Sequence, residues 1–489
     1  MPSNNHETAG STAAAAPDCQ LPELDADLLR RYDTSGPRYT SYPTAREFTP
    51  TFGEARLRHN AGLALARWQL PLSLYVHIPF CESPCFYCGC NRIITRDHAT
   101  ADRYIGYVAR EAALIAPLLR LHGAPGSRRA VRQLHLGGGT PNFLRPEQLS
   151  RLIEALSREF DLTASADRDY SVELDPRFLD PGFIPRLAQL GFNRASLGVQ
   201  DFDPDVQRAV NRIQSVEQTL EAIAACRDNG FRSVNVDLLY GLPRQTRDEF
   251  RRTLEAVIAV RPERLAIYGY AHLPLLFKAQ RHIEATELPD AGTRLALLRL
   301  AIETLCGAGY RYIGLDHFAL PSDDLALAQA QGGLHRNFMG YTTHAGCDLV
   351  GLGVSSISHI GESFSQNHRD LKHWEAALDA GWLPVWRGLE LSLDDRVRAD
   401  VIQQIMCRGE IDIREIEEKY GIDFVTYFAA ALAALAVLQE DRLLTRSGEH
   451  IRATARGRLL LRSIAMSFDR YLGSQRPAVP AAVPFSRVI

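Results

Sequence analysis

Four cysteines stand within ten residues of this chain, in the segment HIPFCESPCFYCGCN at 77–91. They are Cys81, Cys85, Cys88 and Cys90, so the gaps between them hold three, two and one residues. Random scatter does not produce such a grouping, and thiolates are ligands for zinc and for iron–sulfur clusters. The segment therefore predicts a shared inorganic ligand.

Two kinds of site compete for these thiols. A structural zinc site usually joins two separate cysteine pairs, and the sequence has no second pair downstream. The CxxxCxxC run instead places three thiolates on one tight loop, which leaves one iron of a [4Fe-4S] cluster open to a substrate or a cofactor. The spacing thus favours an iron–sulfur cluster and keeps zinc as the alternative.

The composition is that of a globular protein long enough for two or three domains, with 489 residues, 46% hydrophobic and 23% charged. A formal net charge of -3 gives no general attraction to nucleic acid or to an anionic membrane. The longest apolar run, at 428–438, is too short to span a bilayer. Residues 1–24 have the composition of a disordered tail and not of a secretory signal, which predicts a cytoplasmic protein.

Six short runs rich in β-branched and aromatic residues recur along the chain, with helical spacing between them. They are residues 72–78, 132–138, 170–176, 193–200, 233–241 and 264–272. Strands that alternate with helices pair in parallel through right-handed crossovers. We therefore predict an α/β fold with a partial parallel barrel of the (β/α)6 type, whose chemistry lies at the C-terminal ends of the strands.

The ends of the six predicted strands agree with that rule, because each carries polar or glycine-rich residues. The first strand runs into the cysteine loop, and the others end in Gly138, Gly139, Thr140, Glu173, Gln200, Asp201, Asp237, Ala271 and His272. Glycines let backbone amides approach a ligand closely. For Glu173 the competing interpretation is a salt-bridged strand end.

The CxxxCxxC run follows LYVHIPF and has an aromatic residue, Tyr87, before its third cysteine. It resembles the signature of the radical S-adenosylmethionine (SAM) enzymes. The resemblance implies that Cys81, Cys85 and Cys88 hold a [4Fe-4S] cluster and that its open iron binds SAM. It also implies a radical SAM barrel, in which an electron from the cluster releases a 5'-deoxyadenosyl radical.

Further segments resemble one family within that superfamily, the oxygen-independent coproporphyrinogen III oxidases. The likeness runs from about residue 25 to the end and rests on PRYTSYPTA (37–45), the CxC that includes Cys90, LHLGGGTPN (134–142), AVNRIQ (209–214), LHRNFMGYTT (334–343) and FSRVI (485–489). It implies an oxidoreductase of haem biosynthesis that works without oxygen. The ring A and B propionates of coproporphyrinogen III become vinyl groups, which gives protoporphyrinogen IX. A haem chaperone on the same scaffold is the alternative, and Cys90 speaks against it.

The same resemblance implies two bound SAM molecules. Tyr75, Gly138 and Glu173 match residues that hold the first, and Tyr75 and Glu173 are the catalytic candidates. The residues that match the second site are Tyr87, Gly139, Thr140, Gln200, Arg212, Asp237, Ala271 and Ile357. Without the resemblance, Arg212 would be interpreted as an exposed helix charge.

Other expectations concern the substrate and the domains. Met339 stands where the resemblance leads us to expect glutamine, and Arg38, Arg92 and Arg336 are candidate partners for substrate carboxylates. We expect a monomer with an unidentified electron donor and neither a nucleic-acid nor a membrane partner. The predicted division is a tail (1–24), an N-terminal arm that contacts the active site (25–70), the barrel (71–320), a substrate-facing extension (321–384) and a helical, winged-helix-like C-terminal domain (385–489).

Overall fold

The computed structural model of the chain describes residues 26–32, 34–67, 70–120, 128–162 and 167–472. The predicted tail at 1–24 and the FSRVI ending lie outside these ranges. Among the described helices, none has both the length and the apolar character needed to traverse a bilayer.

The strands of the described chain are mostly short. In chain order they are β1 (Leu72–Ile78), β2 (Phe80–Cys81), β3 (Ile93–Ile94), β4 (Val131–Gly138), β5 (Asp169–Leu174), β6 (Arg194–Gln200), β7 (Ser233–Tyr240), β8 (Arg264–Gly269), β9 (Arg311–Gly314), β10 (His317–Ala319), β11 (His335–Asn337), β12 (Gly340–Thr342), β13 (Asp348–Leu352), β14 (Ile357–Ile360), β15 (Ser363–Asn367), β16 (Val385–Glu390), β17 (Glu410–Asp412), β18 (Leu444–Arg446) and β19 (His450–Ala453).

The helices include the connections between the parallel strands. In chain order they are α1 (Ala26–Tyr32), α2 (Glu54–Arg67), α3 (Ala99–Ile115), α4 (Pro146–Glu159), α5 (Phe183–Gln189), α6 (Pro204–Ala209), α7 (Val216–Asp228), α8 (Arg247–Ala259), α9 (Ala291–Gly307), α10 (Asp324–Ala330), α11 (Leu371–Asp379), α12 (Leu393–Arg408), α13 (Ile413–Tyr420), α14 (Phe424–Tyr427), α15 (Ala429–Glu440) and α16 (Leu461–Met466).

The six predicted strands are present and pair in parallel in the order β1-β4-β5-β6-β7-β8. The first prediction matches β1 at both ends, and the other five differ from β4 to β8 by at most a few residues. Helix α8 illustrates a crossover, since Phe250, Leu254 and Val257 bury one face and the side chain of Thr246 caps the first turn. The predicted α/β class with its parallel sheet is confirmed.

The sheet is wider than the sequence predicted. In the described residues it has 12 strands, because β13 pairs in parallel with the free edge of β1 and continues into the antiparallel strands β14, β15 and β16. At the other edge, β10 and β9 follow β8 in antiparallel pairing. These added strands have three to six residues, a length at which periodicity gives little signal.

The C-terminal part of the chain has a second core. Helices α12 to α16 surround a three-stranded antiparallel sheet in the order β17-β19-β18, and the hairpin β18–β19 precedes α16. This confirms a mostly helical C-terminal part. The N-terminal arm packs into the same core, because Tyr39 and Tyr42 are buried there and the Tyr39 hydroxyl donates to Asp469 at 3.0 Å.

Candidate active site

The cysteine loop leaves the end of β1 and is fastened by polar contacts to other elements. The Asn211 side-chain amide donates to the Pro84 carbonyl at 2.7 Å, which ties the loop to the segment after α6. The Arg92 guanidinium donates to the backbone carbonyls of Cys88 at 3.0 Å and Cys85 at 3.3 Å. These contacts hold the loop in one conformation, with Arg92 committed to its backbone.

A cavity of about 270 Å³ lies between this loop and the strand ends. The loop contributes the four clustered cysteines to its wall. The loop also contributes Tyr87, and the rest of the lining includes seven further residues predicted from the sequence, namely Gly138, Gly139, Thr140, Glu173, Gln200, Arg212 and Asp237. The fold therefore gathers the cysteine loop and predicted residues from five other segments of the chain around one space.

Three predicted residues, Tyr75, Ala271 and Ile357, are not among those that line this cavity. The Tyr75 ring stacks on the ring of His135, with centroids 5.8 Å apart. The Ala271 carbonyl accepts from Gln280 at 3.2 Å, and the same amide donates to the Tyr87 carbonyl at 2.9 Å. Ile357 lies on β14, the next strand but one from β1 in the sheet.

Glu173 is held by contacts from the neighbouring strand β4. Its Oε2 accepts from the Gly138 amide at 3.0 Å, and its Oε1 lies 3.3 Å from Nε2 of His135. Burial raises the pKa of Glu173, but the hydrogen bond and charge of His135 and the Gly138 amide more than offset this, so the pKa is lowered. The side chain remains 45% exposed, and it lines the cavity as an ionised acceptor.

A second carboxylate in the cavity, Asp237, lies in a different environment. Its two oxygens accept from the Ser196 hydroxyl at 2.7 Å and from the Asn235 amide at 2.8 Å. Burial nevertheless raises the pKa of Asp237 to about 6, and the nearby negative charge of Glu173 adds to this effect. The cavity therefore pairs one readily ionised carboxyl group with one that takes up a proton near neutral pH.

Two buried arginines meet one cysteine sulfur. Arg212 Nη1 and Arg177 Nη2 each lie 3.4 Å from Cys85 Sγ, and they also donate to Asp175 at 3.0 Å and 2.7 Å. Burial opposes ionisation of Asp175, but the guanidiniums of Arg212 and Arg177 hold its pKa below its usual value. Arg212 is 6% exposed, so it is not the exposed helix charge that the alternative interpretation required.

The donor set around the three thiols fits an iron–sulfur cluster. In the described part of the chain, no three His, Cys, Asp or Glu side chains converge on the position of a single metal ion. The three CxxxCxxC cysteines instead border the cavity. Like Cys85, the other two sulfurs accept hydrogen bonds. Cys81 accepts from the Thr140 hydroxyl at 3.3 Å and Cys88 from the Cys90 amide at 3.4 Å. Hydrogen bonds to ligand sulfurs are a recognised means of tuning such clusters.

Three residues beside the cavity, Asp175, Arg177 and His135, were not among the site residues predicted from the sequence. Asp175 and Arg177 lie in the DPR segment directly after β5, so their place at a strand end was a usable signal. His135 lies within β4, and its alternation with buried neighbours gave no indication that it contacts Glu173.

Met339 lines a second cavity of about 160 Å³, which shares Glu173 with the first.

The chain is similar to known proteins along most of its length. The family model described as the radical SAM superfamily matches residues 75–257, and the one described as the HemN C-terminal domain matches residues 391–460. An oxygen-independent coproporphyrinogen III oxidase from Pseudomonas aeruginosa is 50% identical, over 92% of this chain and 96% of that protein. The corresponding protein of Escherichia coli K12 is 45% identical, over 96% of this chain and 99% of its own length.

A solved structure agrees with these relatives. Coproporphyrinogen III oxidase (HemN) from Escherichia coli, described as a radical SAM enzyme, superposes with a TM-score of 0.86 at 44% identity. The superposition covers 92% of this chain and all of that one. Both the parallel sheet with its cysteine loop and the helical C-terminal part are therefore shared, and the chain belongs to the oxygen-independent coproporphyrinogen III oxidase family of the radical SAM superfamily.

Proposed function

We propose that the chain oxidises coproporphyrinogen III without oxygen at the cavity between the cysteine loop and the strand ends. Each of the ring A and B propionates would lose a hydrogen atom to a 5'-deoxyadenosyl radical, one electron to an unidentified one-electron acceptor, and CO2. The complete reaction would therefore convert two SAM molecules and give protoporphyrinogen IX, two CO2, two methionine and two 5'-deoxyadenosine molecules. One observation carries this proposal to these residues. Three loop sulfurs, each with a hydrogen-bond donor, share a single cavity with the ionised carboxylate of Glu173.

The superfamily uses a [4Fe-4S] cluster and SAM. When bound, they supply the 5'-deoxyadenosyl radical that removes a hydrogen atom from a propionate. In this chain Cys81, Cys85 and Cys88 would hold the cluster. Arg212 and Arg177 donate to Cys85 and place two positive charges beside the loop, which reduces the cost of adding an electron there.

Glu173 and its neighbours would hold the first SAM molecule. The carboxylate is kept ionised by His135 and Gly138, so it can accept hydrogen bonds from the two ribose hydroxyls. Gly138 has a φ of 114°, a conformation that favours glycine, and a Cβ there would lie 2.6 Å from the His77 ring. The Tyr75 ring stacks on the His135 imidazole and so helps to hold the imidazole beside Glu173.

A second SAM molecule would occupy the remainder of the cavity and extend beyond it. Six of the residues proposed to hold it line the cavity, namely Tyr87, Gly139, Thr140, Gln200, Arg212 and Asp237, and the other two, Ala271 and Ile357, lie outside its lining. Arg212 is suited to the carboxylate of an amino acid, because a buried guanidinium binds two oxygens at once. The Tyr87 carbonyl accepts from Gln280, which ties the backbone of this cavity-lining residue to the segment after β8.

We also propose the roles of the parts around the site. The barrel (71–320) would hold the cofactors. The extension (321–384) contributes Met339 to the second cavity, which would receive the substrate. The arm (25–70) joins the C-terminal domain (385–489) to the barrel, since it contacts Asp469 through Tyr39 and Asp316 through Arg38. We infer a monomer in the cytoplasm, where thiols stay reduced, served by an unidentified one-electron donor.

One experiment tests the proposal. The protein is reconstituted anaerobically with iron and sulfide and supplied with a reductant, SAM and coproporphyrinogen III. We expect vinyl products, with two 5'-deoxyadenosine molecules per protoporphyrinogen IX and two SAM molecules bound per chain at equilibrium. Tight haem binding without turnover, or zinc in place of iron and sulfide, would contradict the proposal.

A further inference from the structure

Three arginines from distant parts of the chain meet beside the barrel. They are Arg38 of the N-terminal arm, Arg336 of β11 and Arg462 of α16, and we call them the arginine cluster. Arg336 is 5% exposed and donates to the Arg38 backbone carbonyl. Arg462 is 4% exposed and donates to the carbonyl of Pro37 at 3.1 Å. The cluster thus joins the arm, the hairpin β11–β12 and the C-terminal domain.

The charge of one member of the cluster, Arg336, is uncompensated among the described residues. Arg38 forms an ion pair with Asp316. Within the described ranges, Arg336 has no carboxylate at ion-pairing distance, and its buried Nε has no hydrogen-bond partner. Burial of a guanidinium without a counter-charge is costly, so a site that retains one is suited to an anionic ligand.

The neighbouring imidazole responds to this excess of positive charge. His317 follows Asp316, and its buried Nδ1 has no hydrogen-bond partner among the described atoms. Burial, with added repulsion from Arg336 and Arg38, lowers the pKa of His317 to about 3. The imidazole is therefore neutral at physiological pH, and it adds no positive charge of its own.

The arginine cluster lies against aromatic side chains of the cavity walls, although none of its three arginines is itself a lining residue. The Arg336 guanidinium lies 5.3 Å from the centroid of the Tyr341 ring, and Tyr341 and His317 line the second cavity together with Met339. The Arg38 guanidinium lies 5.7 Å from the centroid of Tyr268, which lines both cavities. Two aromatic rings of the cavity walls are thus in direct contact with the two guanidiniums and offer a flat apolar surface beside them.

Other arginines near the cavities are already engaged. Arg92 is bound to backbone carbonyls of the cysteine loop. Arg264, in the wall of the second cavity, pairs with Asp323 at 2.8 Å, and Arg194 pairs with Asp169 at 3.2 Å. Among the three arginines that the sequence offered as carboxylate partners, the contacts single out Arg336.

We propose that Arg336, assisted by Arg38, binds the carboxylate of a propionate that the reaction leaves intact. The inference rests on the proposed function, since it concerns the substrate of that same site. A propionate that reacts loses its carboxylate as CO2 and would leave a buried cation stranded. A propionate that keeps its carboxylate compensates Arg336 throughout turnover, and a guanidinium can bind both of its oxygens.

Equilibrium binding tests the inference on the reconstituted holoenzyme, with coproporphyrin III as a fluorescent probe and its tetramethyl ester as the uncharged comparison. We expect the wild type to prefer the acid by tenfold or more. Arg336→Gln should weaken the binding of coproporphyrin III about tenfold and reduce the ratio of its affinities for the acid and the ester. The affinity of Arg336→Lys for the acid should lie between those of the wild type and Arg336→Gln. The control Arg110→Gln removes an exposed arginine of α3 and should bind as the wild type does.

The results separate this inference from the proposed function. Suppose that the wild type makes protoporphyrinogen IX, and that Arg336→Gln with the same iron content binds coproporphyrin III as tightly as the wild type does. The inference about Arg336 then fails, while the proposed function stands. If Arg336→Gln does not fold, the Lys variant and the acid-to-ester ratio of the wild type decide. Equal affinity of the wild type for acid and ester overturns the inference. If the wild type neither binds nor converts the substrate, the proposed function itself fails.

Discussion

His135 and Glu173 lie on neighbouring parallel strands, and imidazole Nε2 and carboxylate Oε1 are 3.3 Å apart. The other ring nitrogen of His135 lies 2.7 Å from the Ser171 hydroxyl. The imidazole is therefore held at both nitrogens while its face stacks on Tyr75. This arrangement fixes the direction of the Glu173 carboxylate, and His135 would therefore position the carboxylate that we propose to bind SAM.

His135→Phe should keep the stacking and lose the hydrogen bond. We expect SAM binding to weaken about five- to tenfold, because one hydrogen bond contributes about 1 kcal/mol or slightly more. The pKa of Glu173 should rise without the imidazole, so the acid limb of SAM binding should move to higher pH. Titration of SAM at several pH values measures both effects. The exposed His373→Phe serves as control, and an unmoved acid limb in His135→Phe would argue against the positioning role.

Cys85→Ala should abolish the iron–sulfur chromophore. Cys85 accepts from both Arg212 and Arg177, so its loss removes a ligand and leaves two buried guanidiniums beside an empty position. Iron and sulfide analysis with visible absorbance after anaerobic reconstitution checks the prediction. Cys347→Ser changes a half-buried thiol outside the loop and should retain the cluster. A full iron content in Cys85→Ala would be incompatible with a three-cysteine site.

Gly139→Ala should destabilise the cavity wall. A Cβ at this position would lie 2.8 Å from backbone atoms of Pro79 and Phe80, which lead into the cysteine loop. Such overpacking costs about 1–3 kcal/mol, and we expect weaker SAM binding with it. Gly106→Ala, in helix α3 with open space around the new Cβ, should instead gain about 0.5–1 kcal/mol. Chemical denaturation compares the two, and equal stabilities would refute the steric argument.

The buried carboxyl group of Glu111 should make stability depend on pH. Burial raises its pKa from an ordinary value near 4.5 to about 8, although Gly353, Asn367 and Trp374 donate to it. The folded chain then holds a proton that the unfolded chain has released. The free energy of unfolding should therefore fall as pH rises from about 5 to 8, by at most about 1.4 kcal/mol per unit.

Glu111→Gln removes the ionisable group, so this pH dependence should disappear in the variant. Its amide nitrogen would face a donor, which should lower stability by about 1–3 kcal/mol at the acid end of the range. Denaturation at pH 5, 6.5 and 8 measures the slope. Glu154→Gln, an exposed change on α4, should keep the slope of the wild type. A wild-type stability that rises over this range would contradict the assigned pKa shift.

The sequence predicted what repeats or clusters locally. Six apolar runs with polar ends indicated the parallel strands, and the spacing of the cysteines indicated the loop between β1 and the cavity. Contacts between residues far apart in the chain gave no such signal. The sequence of the five-residue strand β13 does not distinguish it from other short apolar runs. Its place beside β1 depends on pairing between residues more than 270 positions apart in the chain. The arginine cluster likewise appears only when the arm and α16 come together.

The pairing of β13 with the cysteine-bearing strand has a consequence for biogenesis. During translation, the CxxxCxxC segment leaves the ribosome long before residue 348. Until β13 is synthesised, one edge of β1 therefore has no strand to pair with. The cysteine loop begins at the end of that strand, which pairs with β4 on one side and with β13 on the other. We therefore expect insertion of iron and sulfide to follow the synthesis of β13, when the strand that leads into the cysteine loop has both of its neighbours.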